Sequence, residues 1–172
     1  MKIITRRFRA GNITDTSAAG LMTAVSALIR TGSDSADFLI RTLKDKSGSM
    51  RWQAAGTLGI IEDRRSAEAL ITALSDDNLT IRVASAEALG AIRDPRAAKP
   101  LIAALSDSNA LVRMAAAAAL GRIADVRAAR ALREALKDPD SHVRAFAGAA
   151  LEGLGAPTLR RRRKLKPKCR IL

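Results

Sequence analysis

DDNLTIRVASAEALGAIRDPRAAKPLIAALS, residues 76–106, decides the fold, because it recurs in register on both sides. Thirty-one residues on stands DSNALVRMAAAAALGRIADVRAARALREALK (107–137), and 31 back stands DKSGSMRWQAAGTLGIIEDRRSAEALITALS (45–75). Self-similarity at a fixed period marks an array of small units that bury their apolar faces against one another. Within the central copy, Ile81, Ala86, Leu89 and Ile92 recur at spacings of three to five and share one side of a helix over 79–92. Their columns in the neighbouring units are Met50, Val112 and Val143; Leu58, Leu120 and Leu151; and Ile61, Ile123 and Leu154.

Asp94-Pro95 predicts a stop and a restart, since Asp accepts the free N–H groups of a new helix and Pro is pre-set for its first position. Asp63 and Asp125 hold the same place. A second helix over 95–105 is expected to bury Ala98, Leu101, Ile102 and Leu105 and to kink at Pro100, which lacks an N–H. The acidic turns Asp76-Asp77, Asp107-Ser108 and Asp138-Pro139 open each following unit. Two columns of small residues, Ala54, Ser85, Ala116, Ala147 and Gly59, Gly90, Gly121, are expected to set how closely the layers approach.

Upstream, residues 14–44 read as a degenerate first unit, with Ala36, Leu39, Ile40 and Leu43 in register and a first helix over 17–30 that lacks the Arg and Gly of later copies. Downstream, 138–155 repeats only a first helix, because the following segment puts Arg160 and Arg163 on the apolar Ala98 and Leu101 columns. The expected organisation is a basic arm (1–13), a solenoid (14–155, units 14–44, 45–75, 76–106, 107–137 and the half unit 138–155) and a basic tail (156–172). The half unit leaves part of an apolar face without its usual cover, so that this end is expected to meet another subunit, by self-association, or a partner protein.

Composition narrows the class. Aromatic residues make up 2% of the 172 and Tyr is absent, so Ala and Leu must do the packing. No apolar run reaches the roughly 18 residues of a membrane span, and MKIITRRFRAG has no apolar stretch of secretory-signal length. The single Cys169 cannot close an internal disulfide. A cytoplasmic protein is expected.

The net charge of +13 is concentrated at the ends. Residues 1–13 carry four basic and no acidic groups, 14–155 carry 18 basic against 17 acidic, and 156–172 carry eight basic and no acidic groups. The tail's Arg160, Arg161, Arg162, Arg163, Lys164, Lys166 and Lys168 read first as a solvated arm. They could also hold phosphates by counterion release, without sequence preference because no aromatic is interleaved to stack on bases. The closing Cys169-Arg170-Ile171-Leu172 formally matches a prenylation signal, a modification confined to eukaryotes.

The pattern D-x-x-x-x-[VI]-R-x-x-A-x-x-A-L-G-x-I-x-D-x-R-A-x-x-x-L-I-x-A-L, laid on Asp76 to Leu105 with Ser85 at the first of its alanines, resembles the 31-residue HEAT-like repeat of the phycobilisome-lyase type. The likeness extends over residues 31–154. It implies an all-α, right-handed α-solenoid of stacked antiparallel helix pairs that binds protein partners on the concave surface of its second helices. It further implies that Arg51, Arg82, Arg113 and Arg144, with Asp63, Asp94 and Asp125, are structural and link adjacent repeats.

With Ala98, Leu101, Ile102 and Leu105 turned inward, Arg96 and Ala103 point outward with Lys99 at the flank. Stacking then produces a column Arg65, Arg96, Arg127 and a mixed column Glu68, Lys99, Arg130, either a solvated ridge or a grip for acidic side chains or phosphates. Catalytic readings have less to stand on. His142 is the only His, and one His with one distant Cys makes neither a metal cluster nor a nucleophile–base pair. The HEAT-like di-iron hydroxylases need several His-Glu pairs, which this chain lacks, and the DNA glycosylases need an aromatic-lined base site; Trp52, in the column of Val83 and Met114, is expected to pack between helices. The sequence therefore points to a non-catalytic protein-binding scaffold without metal or cofactor. The alternatives are a nucleic-acid-associated protein using its basic arms and an accessory subunit of a bilin lyase.

Overall fold

The computed structural model describes residues 33–155. The N-terminal arm, the expected helix over 17–30, the basic tail and Cys169 lie outside the described residues. Among the described residues eight α-helices follow one another: α1 (Ser33–Thr42), α2 (Gly48–Ile61), α3 (Ala67–Ala73), α4 (Leu79–Ile92), α5 (Ala98–Ala104), α6 (Ala110–Ile123), α7 (Ala129–Ala135) and α8 (Ser141–Gly153). No strand occurs among the described residues. The long helices α2, α4, α6 and α8 stack side by side as one layer, and the short ones form the second. Each short helix packs chiefly on the long helix of the following unit, α1 on α2 through to α7 on α8, giving an α-solenoid of stacked antiparallel pairs.

Local chemistry sets the boundaries. Asn78 and Asn109 cap α4 and α6 by accepting the N–H of Thr80 and of Leu111, and Asp140 caps α8 through His142 and Val143. The long helices end at Glu62, Arg93 and Ala124, all left-handed at φ near 55°, whose N–H groups donate back to the carbonyls of Leu58, Leu89 and Leu120. Asp63, Asp94 and Asp125 then accept the N–H of Arg65, Arg96 and Arg127 and start the next segment.

That segment differs from the continuous helix expected. It opens with a 3-10 turn, Arg64–Ser66, Pro95–Ala97 or Val126–Ala128, and becomes α-helical only at Ala67, Ala98 or Ala129. The break recurs where no proline stands, so proline does not cause it. Pro100 falls in the first turn of α5, where a helix has no use for the missing N–H, and α5 has the same bounds as α3 and α7 one unit away.

The core is a ladder of single residues repeated by the stack. Leu58, Leu89, Leu120 and Leu151 are fully buried, as are Leu39, Leu70, Leu101 and Leu132 from the short helices. Ile102 and Leu105 are only half-buried, whereas Ala97, which the sequence reading left out, is fully buried. The glycine column works as expected. A Cβ on Gly59, Gly90 or Gly121 would stand within 2.8–3.1 Å of the backbone Cα of Ala88, Ala119 or Ala150 on the next long helix. Trp52 does not pack away: it is 48% exposed, because an indole overfills a position that Val83 and Met114 fill while half-buried.

Candidate functional site

The most buried ion pairs of the body hold the stack together. Arg51, Arg82 and Arg113 point along the layer, and each donates through Nε and Nη2 to a carboxylate 25 residues on, Asp76, Asp107 or Asp138, at 2.8–3.1 Å. Their Nη1 groups donate to two carbonyls of their own turn, such as those of Asp76 and Asp77 for Arg82. Both partners of each pair are largely buried. Burial alone would raise the pKa of Asp76 and Asp107, but the hydrogen bonds from Arg51 or Arg82 and from the backbone of Asn78 or Asn109 outweigh it and hold both below the usual carboxylate value. Arg113 does the same to Asp138.

The acidic half of this link is therefore not the Asp63, Asp94 and Asp125 column. Those carboxylates sit 12 residues after the arginines and face their own turn, where each takes the guanidinium two residues on: Arg65, Arg96 or Arg127. The side-chain hydrogen bond from that arginine keeps each of the three Asp below its ordinary pKa. Arg144 keeps the bonds to its own turn, the carbonyls of Asp138 and Pro139, and has Cys169 where the other three have Asp.

The ridge of Arg65, Arg96 and Arg127 is thus exposed yet already paired. Arg96 further donates to the carbonyl of Arg64 in the preceding unit and lies 3.5 Å from Glu68, and Arg65 lies 3.5 Å from Asp37. Such bidentate pairing leaves little of the grip for acidic groups that the column suggested in isolation. The neighbouring column is freer. Lys99 and Arg130 are exposed and form no ion pair among the described residues, and Glu68 has only the long contact to Arg96. The structure carries this column back one unit to Asp37 and sets beside it a second exposed column, Arg41, Thr72, Ala103 and Glu134, one helical turn on. Of these five, sequence reasoning placed Ala103 outward and missed Asp37, Arg41, Thr72 and Glu134; applying the 31-residue stagger to α1 would have found Asp37 and Arg41.

Between α3 and α5 the same face opens a cleft of about 660 Å³ with Ile71, Leu74 and Pro100 on its apolar wall and Asp76, Arg82 and Asp107 at its rim. Asp76, Arg82 and Asp107 belong to the inter-unit pairs, whereas Asp77, also on the cleft, does not. His142 is exposed at the first turn of α8, with Asp140 at 3.5 Å. No group of three or more His, Cys, Asp or Glu among the described residues is placed to hold a metal ion. No helix there is long and apolar enough to cross a membrane.

The C-terminal end of the stack exposes apolar groups beside one charge. On α8, Ala145 and Ala149 are exposed, Phe146 is 41% exposed, and Glu152 occupies the position that is glycine in the three preceding long helices. Glu152 thus lacks the room for close approach that Gly59, Gly90 and Gly121 give the preceding long helices. The tail candidates Arg160 to Lys168 lie outside the described residues.

Comparison with known proteins follows the repeat. A family model described as HEAT repeats matches residues 10–86 and 67–152. The complex of CpcE and CpcF of phycocyanin lyase from Nostoc sp. PCC7120 is similar with a TM-score of 0.71 and 25% identity, over 83% of this chain and 62% of that one. Human deoxyhypusine hydroxylase is similar with a TM-score of 0.62 and 29% identity, over 70% of this chain and 43% of that one. A designed armadillo repeat protein in complex with the peptide (KR)4 shares the fold, with a TM-score of 0.59 and 19% identity over 88% of this chain and 85% of that one. The chain thus spans less than two thirds of the lyase and hydroxylase chains it resembles. No curated protein matches it.

Proposed function

The chain belongs to the HEAT-repeat family, and we propose that it acts as a non-catalytic scaffold that docks a protein partner on the face of its second helices, α1, α3, α5 and α7. One observation carries this reading: eight side chains in two columns of that face, Asp37, Glu68, Lys99, Arg130 and Arg41, Thr72, Ala103, Glu134, are all exposed and in register. Meanwhile the charges that hold the layers together are engaged elsewhere. An array of mostly polar groups at one repeat spacing, beside a mixed cleft that exposes Ile71 and Pro100, has the make-up of a protein-recognition surface.

Capture from the source cell's lysate, with nuclease added, tests the reading through the intact chain, a Lys99→Glu/Arg130→Glu variant and a chain ending at Gly155. A discrete protein held by the intact and shortened chains and lost by the variant supports docking on this face. Retention that needs residues 156–172, and that nuclease or salt removes, would instead assign binding to the basic tail and its phosphate-seeking charge.

A second reading, as an accessory subunit of a bilin lyase, is favoured by the likeness to the CpcE and CpcF complex. Co-purification with a lyase subunit and with bilin absorbance would support it; colourless, unaccompanied chain after co-expression with such a subunit would remove it.

A further inference from the structure

The two exposed columns reverse sign along the stack. The first reads Asp37, Glu68, Lys99, Arg130, acidic at the α1 end and basic at the α7 end. The second, four residues on along each short helix, reads Arg41, Thr72, Ala103, Glu134 and runs the opposite way. Residues four apart share a helix face, so the two columns make one continuous strip. A strip whose charges invert about its midpoint is complementary to itself when turned end for end.

We propose that this strip joins two copies of the chain in antiparallel, isologous contact. A two-fold axis parallel to the helices, passing between α3 and α5, sets Asp37 against the second copy's Arg130, Glu68 against its Lys99 and Arg41 against its Glu134. The uncharged Thr72 and Ala103 then meet at the axis, and both columns keep their register because the repeat spacing is the same in each copy. The free state leaves these groups available, save Glu134, which has Lys137 at 3.1 Å. Arg41, Lys99 and Arg130 have no ion pair among the described residues, while Asp37 and Glu68 have only 3.5 Å approaches to Arg65 and Arg96. The flanking ridge does not oppose the pairing, since Asp63, Asp94 and Asp125 neutralise its three arginines. Lys44 and Lys137, three residues beyond the second column, face each other with like charge, which the contact of Lys137 with Glu134 at 3.1 Å partly offsets. All the groups are solvated, so the contact belongs to the weak, salt-sensitive class.

The inference rests on the reading of this face as a docking surface, and a partner protein and a second copy then compete for it. Sedimentation equilibrium of the intact chain over a wide concentration range tests it. The expected result at low salt is an average mass that climbs toward twice the monomer's and returns to the monomer's at about 0.5 M salt. Glu68→Lys alone and Lys99→Glu alone each create two repulsive contacts per dimer and weaken association by about tenfold or more. The double variant Glu68→Lys/Lys99→Glu exchanges the signs and restores it. These positions are exposed, and unchanged far-UV circular dichroism checks that the variants fold. A monomer at every concentration overturns the inference while leaving the capture experiment to judge docking. So does a dimer indifferent to both single reversals, or one that the double exchange fails to restore.

Discussion

Gly90 offers the sharpest test of how the layers are spaced. A Cβ built there would lie 2.8 Å from the Cα and 2.9 Å from the Cβ of Ala119. The first of these is backbone, so Gly90→Ala can be accommodated only by moving α6 away from α4 by several tenths of an ångström. Overpacking of this kind costs about 1–3 kcal/mol, whereas alanine gains about 1 kcal/mol over glycine in a helix interior. Gly56→Ala supplies the control, because Gly56 lies inside α2 with nothing within 4 Å of the added methyl. The propensity gain is common to both and cancels in their difference. Urea unfolding followed by circular dichroism should therefore place Gly90→Ala about 1–3 kcal/mol below Gly56→Ala, with the control more stable than the parent. Equal midpoints for the two variants would refute close approach along the glycine column.

Other substitutions probe separate parts of the account. Ala124→Gly should stabilise the chain by about 0.5–1 kcal/mol in thermal unfolding, since Ala124 is held at φ 58° in a conformation that glycine adopts without strain. Leu89→Ala should cost about 2–5 kcal/mol in the same assay, because Leu89 is fully buried between layers. Ser85→Ala should be neutral or stabilising by up to about 1 kcal/mol: its hydroxyl is buried without a partner in a column that is otherwise alanine. Acid should unfold the stack progressively. Asp76, Asp107 and Asp138 have lowered pKa values in the folded chain, so their stabilisation is complete above the unfolded carboxylate value of about 3.9 and is lost as pH falls through the lowered ones. A melting temperature that holds from neutral pH to about 5 and then drops below about 4 is expected; one unchanged at about pH 3 would contradict the assignment.

The parts of this structure that were legible in the sequence are those that a 31-residue stagger controls directly. Leu58, Leu89, Leu120 and Leu151 recur in one column because each meets the same neighbour in each layer, and α4 spans the expected Leu79–Ile92. Geometry that several sequences satisfy equally well was not legible. Asp94-Pro95 starts a 3-10 turn as readily as an α-helix, so the late onset of α5 at Ala98 left no mark. Each unit offers Arg82 and its counterparts two aspartate columns, 12 and 25 residues on, and spacing alone does not say which carboxylate the guanidinium reaches. The same ambiguity hid the pairing of Arg96 with Asp94, which turns an apparent cationic ridge into a largely neutral one. Asp37 and Arg41 went unread because the first unit is degenerate, although its second helix keeps the register.

The central claim, that the second-helix face docks protein, is tested most directly by the capture comparison between the intact chain and its Lys99→Glu/Arg130→Glu variant at moderate salt with nuclease present. The account predicts a discrete protein, a second copy of the chain among the candidates, retained by the first and lost by the second while both remain equally helical. Equal retention by the two, or retention that disappears only when residues 156–172 are removed, would contradict it.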